Sequence, residues 1–110
     1  MSIYMDVKLL KKRLYRKVRL IIAEQLCVDL KDVTPTAHFI EDLNADSLDL
    51  VELIMSLEGK FHIDIPDDEA ANINTLDDSV KFIQEKIIEQ NVQTLLEEDK
   101  FWDEFDSREL

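Results

Sequence analysis

The sequence predicts an all-α protein, a small bundle of helices with an extended first helix and a short third one. Only one of its 110 residues is glycine and two are proline, so turn-forming residues are scarce. Apolar residues recur at helical spacing in three long stretches, with charged residues between them. A chain of this length buries roughly 60–70% of its unfolded surface, which is enough for one hydrophobic core. We therefore expect one helical domain over residues 1–90 and an appended segment over residues 91–110.

The formal charge of −12 is unevenly distributed along the chain. Residues 1–20 carry seven basic residues and one acid, whereas the other ninety carry six basic and twenty-four acidic residues. The acidic body repels phosphates, so no nucleic acid is expected as a partner. It favours partner proteins with basic surfaces, although solubility alone is an equally simple explanation. We expect a monomer.

Neither a membrane span nor a disulfide framework is expected. No apolar run approaches the ~20 residues that cross a bilayer, and no signal peptide is visible. Cys27 is the single cysteine, which excludes an internal disulfide and a cysteine-based zinc site. We expect a cytoplasmic protein without a metal site.

Residues 5–27 are predicted to form the first helix. Its apolar arc includes Val7, Leu10, Leu14, Val18, Ile21 and Ile22. The basic residues Lys12, Arg13, Arg16, Lys17 and Arg19 are placed on the opposite arc. The simplest interpretation is a solvated basic face on a core helix. A membrane-surface helix, a docking face for the acidic C-terminal segment and, more weakly, a transit peptide are the alternatives.

A long loop over residues 28–46 follows, and the second helix begins at Asp46 or Ser47 and ends near Phe61. Asp46 is a good N-cap residue. One face of this helix is predicted to pack in the core, and it consists of Leu50, Leu53, Ile54, Leu57 and Phe61. A second apolar stripe runs along the other side, with acids beside it: Leu48, Val51 and Met55, flanked by Glu52 and Glu58, with Asp49 at one edge. Such a stripe is either a binding surface or a second buried face.

Two further helices complete the predicted bundle. Residues 67–71 form the short one, with acids at its N-terminus, where the helix dipole favours them. Thr75 caps the last helix, and Asp78 stands in the capping-box position. Residues 91–110 are acidic and aromatic. They are expected to form an extra C-terminal helix that packs on the basic first helix, and a peptide that docks in a groove elsewhere is the alternative.

Ser47 is the candidate functional residue, and the chain offers it no catalytic partners. The only histidines are His38, nine residues upstream, and His62, beyond the far end of the same helix. A serine nucleophile needs a base and a group that orients the base, so a catalytic site is not expected. A phosphate on Ser47 would lie near free backbone N–H groups of the helix N-terminus, although Asp46 and Asp49 repel it. Phosphorylation and a phosphodiester-linked arm are both compatible with this position.

The segment Asn44–Asp49 strongly resembles the attachment motif of the acyl carrier protein family, which reads Asp-Ser-Leu and is usually preceded by Gly-Ala. The resemblance covers about residues 15–90 and continues in register through several further stretches. These are Arg19 to Asp32, Val33-Thr34, Phe39–Leu43, Val51–Met55, Phe61, Ile65-Pro66-Asp67 and Glu69-Ala70. The family fold is a four-helix bundle with a short third helix, in agreement with the helices predicted above.

The resemblance implies that a phosphopantetheinyl transferase attaches a 4′-phosphopantetheine arm from coenzyme A to Ser47. The arm then holds acyl groups as thioesters for partner enzymes of fatty-acid, lipid or polyketide-type biosynthesis, which transfer or elongate them and dock through basic surfaces. Asp46, Leu48 and Asp49 would form the surface around the arm, and the core would open between helices to shelter an acyl chain. The implied docking residues are Leu48, Asp49, Val51, Glu52, Met55 and Glu58.

Three features depart from the family pattern. Asn44 replaces the usual glycine, and asparagine tolerates left-handed backbone better than most residues. Gly59-Lys60 replaces what is commonly a pair of acids, and both ends extend beyond the usual family length. Together they favour a specialised carrier. The alternatives are a scaffold of the same fold without a loaded arm, and an acidic adaptor regulated by phosphorylation of Ser47.

Overall fold

A computed structural model describes residues 7–90, and of Val7 only the backbone. The described chain forms four α-helices and one short 3₁₀ turn, with no strand among residues 7–90, which confirms the all-α prediction. The elements are α1 (Val7–Leu26), the 3₁₀ turn (Leu30–Asp32), α2 (Ser47–Phe61), α3 (Asp67–Ala70) and α4 (Leu76–Gln90). The predicted extra C-terminal helix lies outside the described residues.

The core lies between the three long helices, with α1 packed against both α2 and α4. From α2, Leu53, Leu57 and Phe61 are buried as predicted, whereas Leu50 and Ile54 are half-buried. Loop residues contribute as well, because Val33 and Phe39 are almost completely inaccessible to solvent. The loop therefore forms part of the core, as its spaced apolar residues imply.

The helices α2 and α4 begin at one end of the molecule and finish together at the other. At the first end, the Ala45 N–H donates to the Phe39 carbonyl (2.8 Å), and the Phe39 N–H donates to the Asn74 carbonyl (2.9 Å). At the other end, the Gln90 side-chain amide donates to the His62 carbonyl (3.4 Å). Among residues 7–90, every helix is too short or too polar to span a bilayer.

The prediction that the basic residues of α1 face solvent is wrong for two of them. Lys17 is completely buried. It follows Leu14 by three residues and precedes Ile21 by four, and this spacing places it on the core side of the helix. Arg19 is half-buried, and its guanidinium donates to the Val33 carbonyl (3.0 Å) and the Leu30 carbonyl (2.8 Å). Arg19 therefore fastens the loop to α1 instead of facing solvent.

Candidate functional site

Ser47 is the first residue of α2, and its side chain is exposed. The preceding residue caps the helix, because the Asp46 carboxylate accepts from the Asp49 N–H at 2.8 Å. The Asp49 carboxylate returns the bond by accepting from the Asp46 N–H at 3.0 Å. This reciprocal capping box confirms Asp46 as the N-cap. It also gives Asp49 a structural role that the sequence analysis missed, although the Asp-x-x-Asp spacing matches the Thr75-x-x-Asp78 spacing that was recognised at α4.

The α4 capping box forms as predicted and ties the start of α4 to the loop that precedes Ser47. The Thr75 hydroxyl accepts from the Asp78 N–H, and the Asp78 carboxylate accepts from the Thr75 N–H, both at 3.1 Å. The same carboxylate also accepts from the Asn74 N–H at 3.0 Å. Because Asn74 is the residue whose carbonyl binds Phe39, the two helix starts share one hydrogen-bonded network.

The turn directly before Ser47 is held by hydrogen bonds of its own backbone and of the Asp42 side chain. The His38 carbonyl accepts from both Asp42 and Leu43, and the Asp42 carboxylate in turn accepts from the His38 N–H at 2.7 Å. Asn44 lies in the left-handed region (φ 62°), as expected for the residue that replaces a glycine. Ala45 is buried immediately after it. The serine is thus presented outward from a pinned turn.

The start of α2 and two carboxylates set the electrostatic environment of Ser47. The first N–H groups of a helix have no intrahelical partners, and the helix dipole favours negative charge at this end. Both nearby carboxylates, those of Asp46 and Asp49, are occupied with backbone N–H groups in the capping box. Within residues 7–90, no three histidine, cysteine or acidic side chains are grouped closely enough to hold a metal ion.

The second apolar stripe of α2 faces solvent. Leu48, Val51 and Met55 are 64%, 54% and 62% exposed, so the alternative of a second buried face is wrong. Glu52 is exposed beside them. Glu58 is half-buried instead, and its carboxylate accepts from the Ile65 N–H at 2.8 Å, which fixes the connector between α2 and α3.

A groove lies between this stripe and the connector with α3. Its volume is about 580 Å³. Its lining is mixed, with apolar residues and three acids: Leu50, Ile54, Met55, Ile65, Pro66 and Ala70, together with Glu58, Asp64 and Asp67. The half-buried state of Leu50 and Ile54 follows from this groove, because one side of each residue faces the core and the other faces the opening.

The sequence matches a family model described as "Phosphopantetheine attachment site" over residues 16–83. It is 54% identical over 70 residues to the acyl carrier protein of Helicobacter hepaticus, and the aligned region covers 64% of this chain and 92% of that protein. The acyl carrier protein of Helicobacter pylori is 54% identical over 72 residues, which are 66% of this chain and 92% of that protein. The acyl carrier protein of Thermosynechococcus vestitus is 51% identical over 77 residues, which are 70% of this chain and 95% of that protein.

Proposed function

Because the chain belongs to the acyl carrier protein family, we propose that Ser47 is the residue that bears its 4′-phosphopantetheine arm. The protein is a carrier in acyl biosynthesis, not an enzyme, and its cofactor is covalently attached 4′-phosphopantetheine. The observation that carries the assignment to Ser47 is its place as an exposed hydroxyl at the first position of α2, beside the unpaired N–H groups of the helix start. A scaffold that works without a loaded arm is not favoured.

The arm is attached by a separate transferase with coenzyme A as the donor, and its thiol then carries the acyl group. In the proposed arrangement, the Asp46–Asp49 capping box holds the serine at the end of a rigid helix, and the exposed Leu48 adjoins the arm. The positive end of the α2 dipole stabilises the phosphodiester charge. We also propose a cytoplasmic location, one in which coenzyme A is available for loading.

We propose that partner enzymes dock on the exposed stripe of α2. Leu48, Val51 and Met55 supply an apolar strip beside Glu52, and partners with basic surfaces would be steered toward it by the acidic body. Asp49 and Glu58 lie along the same helix, but their carboxylates are bound to backbone N–H groups. Their contribution to docking is therefore coupled to the stability of the fold. The charge of −12 disfavours self-association, so the carrier is proposed to be a monomer.

We further propose the groove between α2 and α3 as the entrance through which an acyl chain is sheltered. The acids Glu58, Asp64 and Asp67 also line the groove, so the apolar contact would come from residues such as Leu50 and Ile54, which already reach from the groove toward the core. A hydrocarbon chain placed there gains about 0.8 kcal/mol for each buried CH₂ group.

The assignment of Ser47 is tested by intact mass measurement. The chain is incubated with coenzyme A and a broad-specificity phosphopantetheinyl transferase, and the wild type is expected to gain one phosphopantetheine. Ser47→Ala should gain none. Ser56→Ala, which alters another serine of the same helix, is the matched control and should load fully. A loaded Ser47→Ala variant would refute the assignment.

A further inference from the structure

A second groove lies on α1, outside the surfaces used for loading and docking. It has a volume of about 370 Å³ and is lined by Lys8, Lys11, Lys12, Tyr15 and Arg16. Its lining is almost entirely apolar. Long basic side chains produce such a lining, because their methylene stems cover a surface while the charged groups remain at the rim. The groove thus combines an apolar floor and the half-buried Tyr15 ring with a cationic edge.

We propose that residues 91–110 of the same chain occupy this groove. The segment carries seven acidic and two basic residues, a net charge of −5, whereas residues 1–20 have a net charge of +6. It also carries three aromatic residues, Phe101, Trp102 and Phe105. An apolar groove with a cationic rim is complementary to a segment in which aromatic and acidic residues alternate.

The segment is long enough to extend along the whole of α1. It follows Gln90, which is bound to the His62 carbonyl at the end of α2. Its 20 residues would span about 30 Å as a helix and about 66 Å when extended, whereas α1 itself is about 30 Å long. In helical spacing, Leu95, Trp102 and Phe105 fall roughly on one face, which would let the apolar residues meet the groove together.

Trp102 is the only tryptophan, so its fluorescence reports on this segment alone. In the 110-residue chain we expect an emission maximum that is blue-shifted from that of a solvated indole. The double variant Lys11→Glu/Lys12→Glu reverses two exposed charges of the groove and should move the emission toward that of a solvated indole. The matched control, Lys31→Glu/Lys81→Glu, alters two exposed lysines elsewhere and should leave the emission unchanged. Raising the salt from 0.1 to 1 M should act like the groove variant, because the Debye length falls from about 10 to 3 Å.

A zero-length carbodiimide cross-linker tests the contact directly, because it joins a lysine amine only to an adjacent carboxylate. We expect intrachain links between Lys8, Lys11 or Lys12 and the acids of residues 97–106. Three results would overturn the proposal: water-like Trp102 emission in the wild type, links that form only between two molecules, and a blue shift that appears only with anionic lipid vesicles. Loading at Ser47 should proceed equally in every variant, so failure here is distinct from failure of the proposed function.

Discussion

In the turn before Ser47, only Asn44 has a positive φ, a backbone conformation that few residue types adopt without strain. Its φ of 62° lies in the left-handed region, which costs most residues roughly 1–2 kcal/mol and costs asparagine or glycine less. Its side chain is exposed, so a substitution removes no core packing. The turn therefore forms although asparagine stands where the family usually has glycine.

We expect Asn44→Val to lower the free energy of unfolding by about 1–2 kcal/mol, because a β-branched residue is strained at this φ. Asn44→Gly should stay within about 1 kcal/mol of the wild type. Asn72→Val is the matched control, since Asn72 is also exposed but does not have a positive φ. Thermal unfolding measures all three, and equal melting temperatures for the two valine variants would contradict the strain argument.

Tyr15 gives the fold a pH dependence at the alkaline end. Burial raises the pKa of its phenol above 10.0, the nearby Asp77 carboxylate raises that pKa further, and Arg19 partly opposes both. The unfolded chain therefore loses this proton at lower pH than the folded protein does. The resulting stabilisation is complete below about pH 10 and disappears as the pH rises through the folded pKa.

We expect the wild type to lose stability above pH 10 more steeply than Tyr15→Phe, which cannot ionise. The melting temperatures of the two proteins are compared between pH 8 and 11. Absorbance titration in a Tyr4→Phe background follows Tyr15 alone, because the chain has two tyrosines. A midpoint at or below 10.0 would contradict the predicted direction.

At the scale of single elements, α2 combines two tasks on opposite faces. Its buried face anchors the core, and its exposed face displays Leu48, Val51 and Met55. Glu52 belongs only to the exposed face, whereas Glu58 also holds the Ile65 backbone. Substitutions of these two glutamates therefore distinguish an effect on docking from an effect on stability.

We expect Glu52→Lys to slow association with the transferase several-fold while changing stability by less than about 0.5 kcal/mol. Glu58→Lys should slow association as well and also cost roughly 1.5–3 kcal/mol, because the Ile65 N–H loses a charged acceptor. Glu58→Gln retains an acceptor and serves as the control for charge. Loading rates at two salt concentrations and thermal melts provide the readout, and an unaltered melting temperature for Glu58→Lys would contradict the structural role.

The elements of the fold could be predicted because their signals are local. Helical periodicity located the three long helices, a cluster of acids at a helix N-terminus indicated the short α3, and capping residues marked the starts of α2 and α4. Contacts between distant residues had no such signal, so the bonds from Arg19 to the loop and from Glu58 to Ile65 were missed. Lys17 is a different case, because its spacing from Leu14 and Ile21 already indicated a core position that its charge obscured.

At the scale of the whole molecule, opposite charges are concentrated at the two ends of the sequence. The basic residues of α1 are continuous with its core-forming residues, since Leu10 and Leu14 are buried beside the groove lysines. A segment bound to that groove would therefore stabilise α1 and, through it, the bundle. The exposed stripe of α2 belongs to another helix, so partners could dock while the groove is filled.

If residues 91–110 fill the groove, their removal should lower the melting temperature by several degrees. A change of ~1 kcal/mol shifts a domain of this size by roughly 4–8 °C. A charge exchange in the 110-residue chain then distinguishes specific docking of the segment from general stabilisation. Lys11→Glu/Lys12→Glu and Glu97→Lys/Glu98→Lys should each lower the melting temperature, and the combined variant should recover part of the loss because the charges are again opposite. Strictly additive losses, or a truncated chain as stable as the wild type, would place the segment elsewhere.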